Sequence, residues 1–526
     1  DYMAGVDREA RILPWMSQDL VAKDERRSPV EVASALLSFI RGRWDQQFVA
    51  LRESRGEAAA AFNQQRIFIT VPASFDEVAQ RLTLRAAELA GYPTNTRLLE
   101  EPQAAFYAWL EQHVDDASDS ALPGITARPQ HVLVCDLGGG TTDFSFFRVS
   151  QNQTSALKIP IEIERIAVGE HLLLGGDNID LAVAHALKSN LPLAEVELSE
   201  RQWSYLVQQA RNIKERVLSE PELEAEFFVS LPTSGSALFA GAKTASITPA
   251  TVRELVLEGF FPLCRADEQP QRSQRGLREW GLPYASDAAF TKHLAEFVRA
   301  QGRIDAVLFA GGTLKPELLR HRLLQLIASW QGGETPVLLS SLELELSVSR
   351  GAAYGGYLLS EVHAGIGGGY PRSIYIGVNS ETTGQITAVC VLPRGAHENQ
   401  ELEIDRQFMV VVDQPVRFPV YSAIGKGQDQ AGDIVEINEY DFHHLPPLQT
   451  VIRHADQKKR RKQAQSVPVN LVSKVSHLGL LELQCRERLG TEAGAARSWT
   501  LTFNAREERD SAEASVEVPS AQISEP

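Results

Sequence analysis

The 526-residue chain is short of several things, and each shortage excludes a class of protein. It has four cysteines, Cys135, Cys264, Cys390 and Cys485, far apart and without a CxxC pair. That spacing offers neither a disulfide framework nor a zinc site, and it fits a reducing, cytoplasmic compartment. No run of ~18 apolar residues exists, so no segment is expected to span a membrane. No charged n-region followed by an apolar stretch is visible, hence no signal peptide is read. Positive charge is scarce: Lys plus Arg number 52 against 68 Asp plus Glu, a formal net charge of −16. A chain this acidic is not expected to bind nucleic acid, because phosphate contacts need clustered cations. The basic run at 458–462 reads as a solvated loop. The twelve histidines show no metal-ligand spacing.

What is present is an ordinary globular composition, 43 % hydrophobic and 23 % charged. The length suits two to four domains with a real core. From 28 to 48 the apolar residues Val32, Leu36, Phe39 and Ile40 fall at helical spacing behind Ser28-Pro29, a good helix start. Residues 66–71 read as a buried strand stopped by Pro72, and 75–90 as a helix closed by Gly91. A short strand at Leu98-Leu99 and a helix at 103–110 follow. Two strands around a glycine turn are expected over 131–149, and a third over 161–168. Helices are expected at 178–187, 200–218, 315–330 and 348–358, with a strand at 304–310. This alternation predicts an α/β class for the first ~360 residues. The polar stretch 262–283 reads as a surface insertion. Ala364-Gly365-Ile366-Gly367-Gly368-Gly369 reads as a flexible boundary. Short strands at 373–378, 385–392, 408–412, 416–422, 467–475, 478–485 and 499–503 predict an all-β module, a small sandwich. The polar residues 505–526 read as a frayed tail.

Chemistry concentrates in Asp136-Leu137-Gly138-Gly139-Gly140-Thr141-Thr142-Asp143, at the end of the buried strand Val132-Leu133-Val134-Cys135. Three glycines bring bare N–H groups within reach of a phosphate. Thr141 and Thr142 add hydroxyls, and Asp136 and Asp143 offer oxygen to a hydrated Mg²⁺. A strand follows the turn, which excludes a P-loop and a Rossmann turn, since both open a helix. A ligand-free glycine hairpin is the plainer alternative, but flanking acids serve no packing purpose there. Ala310-Gly311-Gly312-Thr313-Leu314-Lys315 and Leu174-Gly175-Gly176-Asp177-Asn178 are glycine turns of the same kind. Each reads equally well as a plain strand-to-helix turn or a helix start. Together the three outline a nucleotide cleft.

The segment from Asp136 to Asp143 closely resembles the second phosphate loop of the seventy-kilodalton heat-shock chaperone family, the DnaK type. Thr70-Val71-Pro72-Ala73-Ser74-Phe75 and Glu101-Pro102-Gln103-Ala104-Ala105 look like its connecting motifs. The stretches 174–180 and 310–316 match in order, and Gly351-Ala352-Ala353-Tyr354-Gly355 resembles its last nucleotide-domain helix. The resemblance covers about 28–360; the β-rich part matches less, at Val391-Leu392-Pro393-Arg394 and Gly479-Leu480-Leu481-Glu482-Leu483.

The resemblance implies an actin-like, ribonuclease-H-like two-lobed ATPase domain over 1–360, with lobes at about 1–125 and 126–345. A linker at 361–376 and a substrate-binding β-sandwich at 377–504 would follow. It implies ATP and Mg²⁺ as cofactors. Gly138, Gly139, Gly140, Thr141 and Thr142 would cradle the phosphates, and Asp136 would hold Mg²⁺ through water. Glu101, Asp136 and Asp143 would be the catalytic carboxylates. Gly176, Asp177, Arg211, Lys214, Gly311, Gly312, Thr313 and Lys315 would surround ribose and adenine. Pro72, Arg81 and Glu101 would relay the nucleotide state. The implied function is an ATP-driven chaperone of unfolded or extended polypeptide, helped by a J-domain protein and a nucleotide exchange factor. The family's first phosphate loop and catalytic lysine segment are expected ahead of Asp1. The chain therefore reads as a fragment with an unpaired sheet edge prone to aggregation. The family's acidic-leucine linker is replaced by the residues from Gly365 to Tyr375. A nucleotide-gated scaffold with little ATPase, and an actin-like small-molecule kinase, are the alternatives.

Overall fold

A computed structural model describes residues 25–56, 60–73, 75, 77–113, 128–152, 155, 160–169, 172–191, 198–232, 244–271, 287–299, 301–340, 343–362, 365–370, 372–378, 387–397, 400–411, 415–423, 429–438, 442–451, 466–475, 481–487, 498–503 and 522–523. In chain order the first elements are α1 (Pro29–Gln47), α2 (Val49–Arg55), β1 (Phe68–Val71), α3 (Glu77–Leu89), β2 (Arg97–Glu100) and α4 (Glu101–His113). Next come β3 (Gln130–Leu137), β4 (Thr142–Gln151), β5 (Ile161–Val168), α5 (Gly176–Ser189) and α6 (Glu200–Ser219). The hairpin of β6 (Phe227–Ser230) and β7 (Thr244–Ile247) leads to α7 (Pro249–Glu254), which runs into a π-helical turn at Leu255–Phe260. Then follow α8 (Phe290–Val298), β8 (Ala306–Ala310), a 3₁₀ turn at Gly312–Leu314, α9 (Glu317–Trp330), β9 (Val337–Leu339) and α10 (Ser347–Tyr357). The last part is all strand: β10 (Ser373–Val378), β11 (Thr387–Leu392), β12 (Glu401–Val411), β13 (Pro415–Ala423), β14 (Ile434–Glu436), β15 (His443–Val451), β16 (Ser466–Val475), β17 (Leu481–Glu487), β18 (Ser498–Phe503) and β19 (Gln522–Ile523).

The chain forms two compact units. One comprises Thr70–Ser74 and Leu99–Ile366 with the N-terminal residues to Pro29; the other comprises Val30–Ile69, Phe75–Leu98 and Gly367–Pro526. The units thus cut across the linear order of the chain.

The first unit is built on a five-stranded sheet in the order β5-β4-β3-β8-β9. Strands β5, β4 and β3 run antiparallel, while β3, β8 and β9 run parallel. Strands β3 and β8 read as apolar runs because both faces are covered, whereas Val337 and Leu338 of β9, at the sheet edge, are exposed. Phe146 and Phe309 from the sheet, Ile179 and Val183 from α5, and Leu206 and Ile213 from α6 join one core. Each such side chain contributes ~1.5–3 kcal/mol when buried. The N-cap of α6 is Ser199, locked with Gln202 in a capping box. Helix α4 is buried from Ala104 to Leu110. It packs against α10 so closely that a Cβ on Gly351 would lie 1.6 Å from the Ala104 carbonyl oxygen. The small residues of α10 are there for this approach.

The second unit has a helical cluster in which Phe62, Ala87, Ala90 and Tyr92 pack with Leu37 and Trp44. The Trp44 indole donates to the Ala60 carbonyl at 2.9 Å. Val32, Leu36, Phe39 and Ile40 of α1 are nevertheless exposed. The β-rich part is ordered β14-β11-β10-β13-β15-β18-β17-β16-β12-β19, and its strand pairs among the described residues are antiparallel. Buried Ser473 on β16 donates its hydroxyl to Val391 on β11, far along that order, so the sheet doubles back on itself.

The units change between Ile366 and Gly367, within the glycine-rich stretch, and just past it Tyr370 N–H donates to Ala396 and Gly395 N–H to Tyr370, both at 2.8 Å. One expectation needs correction. The polar C-terminal stretch contains a strand, since Gln522 and Ile523 pair with Met409 and Phe408. The basic run at 458–462 lies outside the described residues, as do 272–283 of the expected insertion. All four cysteines are buried and free. Among the described residues no helix is long and apolar enough to cross a membrane.

Candidate functional site

The acidic centre follows from strand register. Asp136 is the second-last residue of β3 and Asp143 the second of β4, and the two sit directly opposite each other across the ladder. Like charges placed so are destabilising. Both are buried. Burial, helped by Asp143, pushes the Asp136 carboxyl up to about 7. Glu101, at the first position of α4, joins them: burial, Asp136 and Asp143 push it up to about 8. Three mutually repelling carboxyls at one place are the arrangement a cation relieves. Among the described residues no group of three His, Cys, Asp or Glu side chains could hold a metal by itself.

The hairpin between β3 and β4 is closed by Gly138 N–H donating to the Thr141 carbonyl at 2.9 Å. Gly139 and Gly140 form the exposed tip. Their amides have no protein partner among the described residues. Thr142 points the other way: its buried hydroxyl donates to the Leu174 carbonyl at 2.7 Å, and its amide to Leu172 at 3.0 Å. Of the five expected phosphate-loop residues, Thr142 is therefore a structural tie.

The other two glycine turns close on this hairpin. Gly176 N–H donates to Gly138 at 3.0 Å and Asp177 N–H to Gly139 at 2.8 Å. A Cβ on Gly175 would lie 2.3 Å from the Gly139 carbonyl oxygen, so only glycine allows the approach. Gly311 has φ +86°, and a Cβ there would lie 2.2 Å from the Leu137 carbonyl oxygen.

Between the turns lies a cavity of about 180 Å³. Its lining includes Gly139, Gly176, Asp177, Arg211, Lys214, Gly312, Thr313 and Lys315, all singled out from the sequence. The structure gives the cations partners that sequence reading missed. Lys214, only 8 % exposed, pairs with Asp180, 3 % exposed, at 2.6 Å. Burial holds the Asp180 carboxyl above its ordinary range, against the pull of Lys214 and Arg211. Arg211 pairs with Glu215 at 3.0 Å and Lys315 with Glu345 at 2.8 Å, both exposed. Lys315 and Glu345 also line a second cavity of about 480 Å³ with Phe309, Leu338 and Leu344. Asp180 was legible one helical turn after Asp177; Glu345 had no local signal.

The relay residues are divided. Pro72 and Glu101 belong to the first unit, and Arg81 to the second, where its guanidinium donates to the Leu481 carbonyl on β17 at 3.1 Å.

Glycine turns and clustered acids thus meet at strand ends of a mixed α/β sheet. The family model described as Hsp70 protein matches residues 20–237. That match spans less than half of the chain and makes this part of it similar to the Hsp70 family. It is similar to proteins called Chaperone protein HscA homolog. The one from Acinetobacter baumannii is 31 % identical over 240 residues, 44 % of this chain and 33 % of the relative. That of Verminephrobacter eiseniae is 26 % identical over 427 residues, 80 % and 55 %. That of Bordetella pertussis is 27 % identical over 475 residues, 89 % and 61 %. The matched part of the chain spans between 33 % and 61 % of these relatives' length.

Proposed function

We propose that the cleft takes Mg·ATP and that the protein is a DnaK-type chaperone whose ATP binding and hydrolysis are coupled to binding of extended polypeptide. The convergence of three glycine turns on one acidic strand end supports this most. Gly139 and Gly140 would face the phosphates with their free amides, and Asp136 would hold Mg²⁺ through water. Bound Mg²⁺ would neutralise phosphate charge and let the crowded carboxyls ionise. Glu101, Asp136 and Asp143 would then position the attacking water, and the fixed amides would stabilise the charge that develops. Gly176, Asp177, Arg211, Lys214, Gly311, Gly312 and Lys315 would bound the ribose and base. Mg²⁺ and a polyanionic triphosphate would fit here together, because the acids would repel the phosphate alone.

For the β-rich part we propose the peptide-binding sandwich at 377–504, after a nucleotide domain over 1–360 and a linker at 361–376. The Ser473–Val391 hydrogen bond between distant strands supports a two-layered sheet. The hydrogen bond from Arg81 to Leu481 supports a relay role for Arg81. Names of relatives that include the word chaperone support the overall role. A J-domain protein and an exchange factor would be its partners, in the cytoplasm.

One observation favours the second reading, a nucleotide-gated scaffold. The cations expected at the nucleoside are ion-paired to Glu215 and Glu345. Steady-state ATP turnover with and without an unfolded polypeptide separates the two. Turnover stimulated by polypeptide is expected; tight ATP binding with no turnover would favour the scaffold.

A further inference from the structure

We propose that Thr313 is a positioning residue that clamps the glycine hairpin, not a contact to the nucleoside. The proposal rests on the nucleotide reading of the cleft. The Thr313 hydroxyl donates to the Gly138 carbonyl at 2.8 Å. The same oxygen accepts Gly176 N–H at 3.0 Å, so both of its lone pairs are in use. One carbonyl therefore joins all three turns.

The joint is a matter of fit. A Cβ on Gly176 would lie 2.6 Å from Thr313 Oγ1, so the hydroxyl reaches Gly138 only because residue 176 has no side chain. Gly311, two residues before Thr313, lies against Leu137, the neighbour of Gly138. The turn after β8 thus grips the end of β3 at two successive residues. A hydroxyl has a single proton. With that proton given to Gly138, Thr313 has none to donate to a ribose or phosphate oxygen unless it releases the hairpin. Its effect on a ligand runs through the tip amides of Gly139 and Gly140, which it holds in place before anything binds.

The test compares wild type with Thr313→Val and Thr313→Ser, titrated with Mg·ATP and with adenosine, and followed by hydrogen exchange without ligand. Val keeps the shape and loses the proton; Ser keeps the proton. Thr313→Val is expected to weaken Mg·ATP about five- to tenfold, the worth of one hydrogen bond. Adenosine affinity stays as in wild type, and Thr313→Ser restores Mg·ATP. The Gly138 and Gly176 amides exchange faster in the Val variant and normally in the Ser variant. Equal losses for ATP and adenosine would overturn the proposal, as would unchanged amide protection in Thr313→Val. If wild type binds neither ligand, the nucleotide reading fails, and the exchange data still decide the clamp.

Discussion

The phenolic oxygen of Tyr107 accepts the backbone N–H of Ile366 at 2.8 Å. Tyr107 is buried in α4, the helix that begins at Glu101. Ile366 is the last residue of its compact unit. One rigid helix therefore runs from the acidic centre to the point where the chain leaves that unit.

Tyr107→Phe removes the acceptor and strands a backbone donor. We expect a stability loss of ~1–2 kcal/mol, read as a lower denaturant midpoint at unchanged m-value. Under the chaperone reading, ATP should also shift peptide affinity less in this variant than in wild type. An unchanged midpoint would mean that water replaces the phenol at no cost.

Gly351→Ala separates propensity from packing. In an exposed helix the change gains ~1 kcal/mol. Here the new methyl meets the Ala104 carbonyl at 1.6 Å, so the helices must part. A net loss of ~1–3 kcal/mol is expected from overpacking. Stabilisation on thermal melting would contradict the close α4–α10 approach.

Lys214→Met leaves the Asp180 carboxylate buried without its ammonium partner. Breaking such a pair costs ~3–5 kcal/mol, while removing both charges costs far less. The double variant Lys214→Met with Asp180→Asn should therefore recover most of the loss in a denaturant melt. Additive losses would show that the pair does not interact.

Asp305 sets an acid limb. Burial raises its pKa, but the Arg128 side chain, the His131 amide and Arg303 outweigh burial and hold it below 3.8. Its folded value is depressed, so its stabilisation is complete above the unfolded value near 3.8 and is lost as pH falls through the lower folded value. Asp305→Asn should cost ~1–2 kcal/mol at neutral pH and flatten the stability curve below pH 4. An acid limb as steep as wild type would assign it to other groups.

Much of the α/β unit was legible because its signals are local. The strand at 161–168 coincides with β5, and Ser28-Pro29 does open α1. Pattern reading failed where tertiary pairing overrides composition. Strand β15, for which the sequence pattern predicts no strand, carries Pro446-Pro447 and yet pairs with β13. The helix opens at Glu101, two residues ahead of the expected 103, because proline is tolerated in a first turn. In the site, glycine turns and acids were visible as motifs. The partners of the cations were not, because Glu345 is 30 residues from Lys315.

Calorimetric titration of Mg·ATP into the protein, beside Asp136→Asn, tests the nucleotide cleft most directly. The expected result is saturable binding that needs Mg²⁺ and weakens at least about tenfold in the variant, as loss of a charged metal contact would give. No binding, or binding indifferent both to Mg²⁺ and to Asp136, would contradict it.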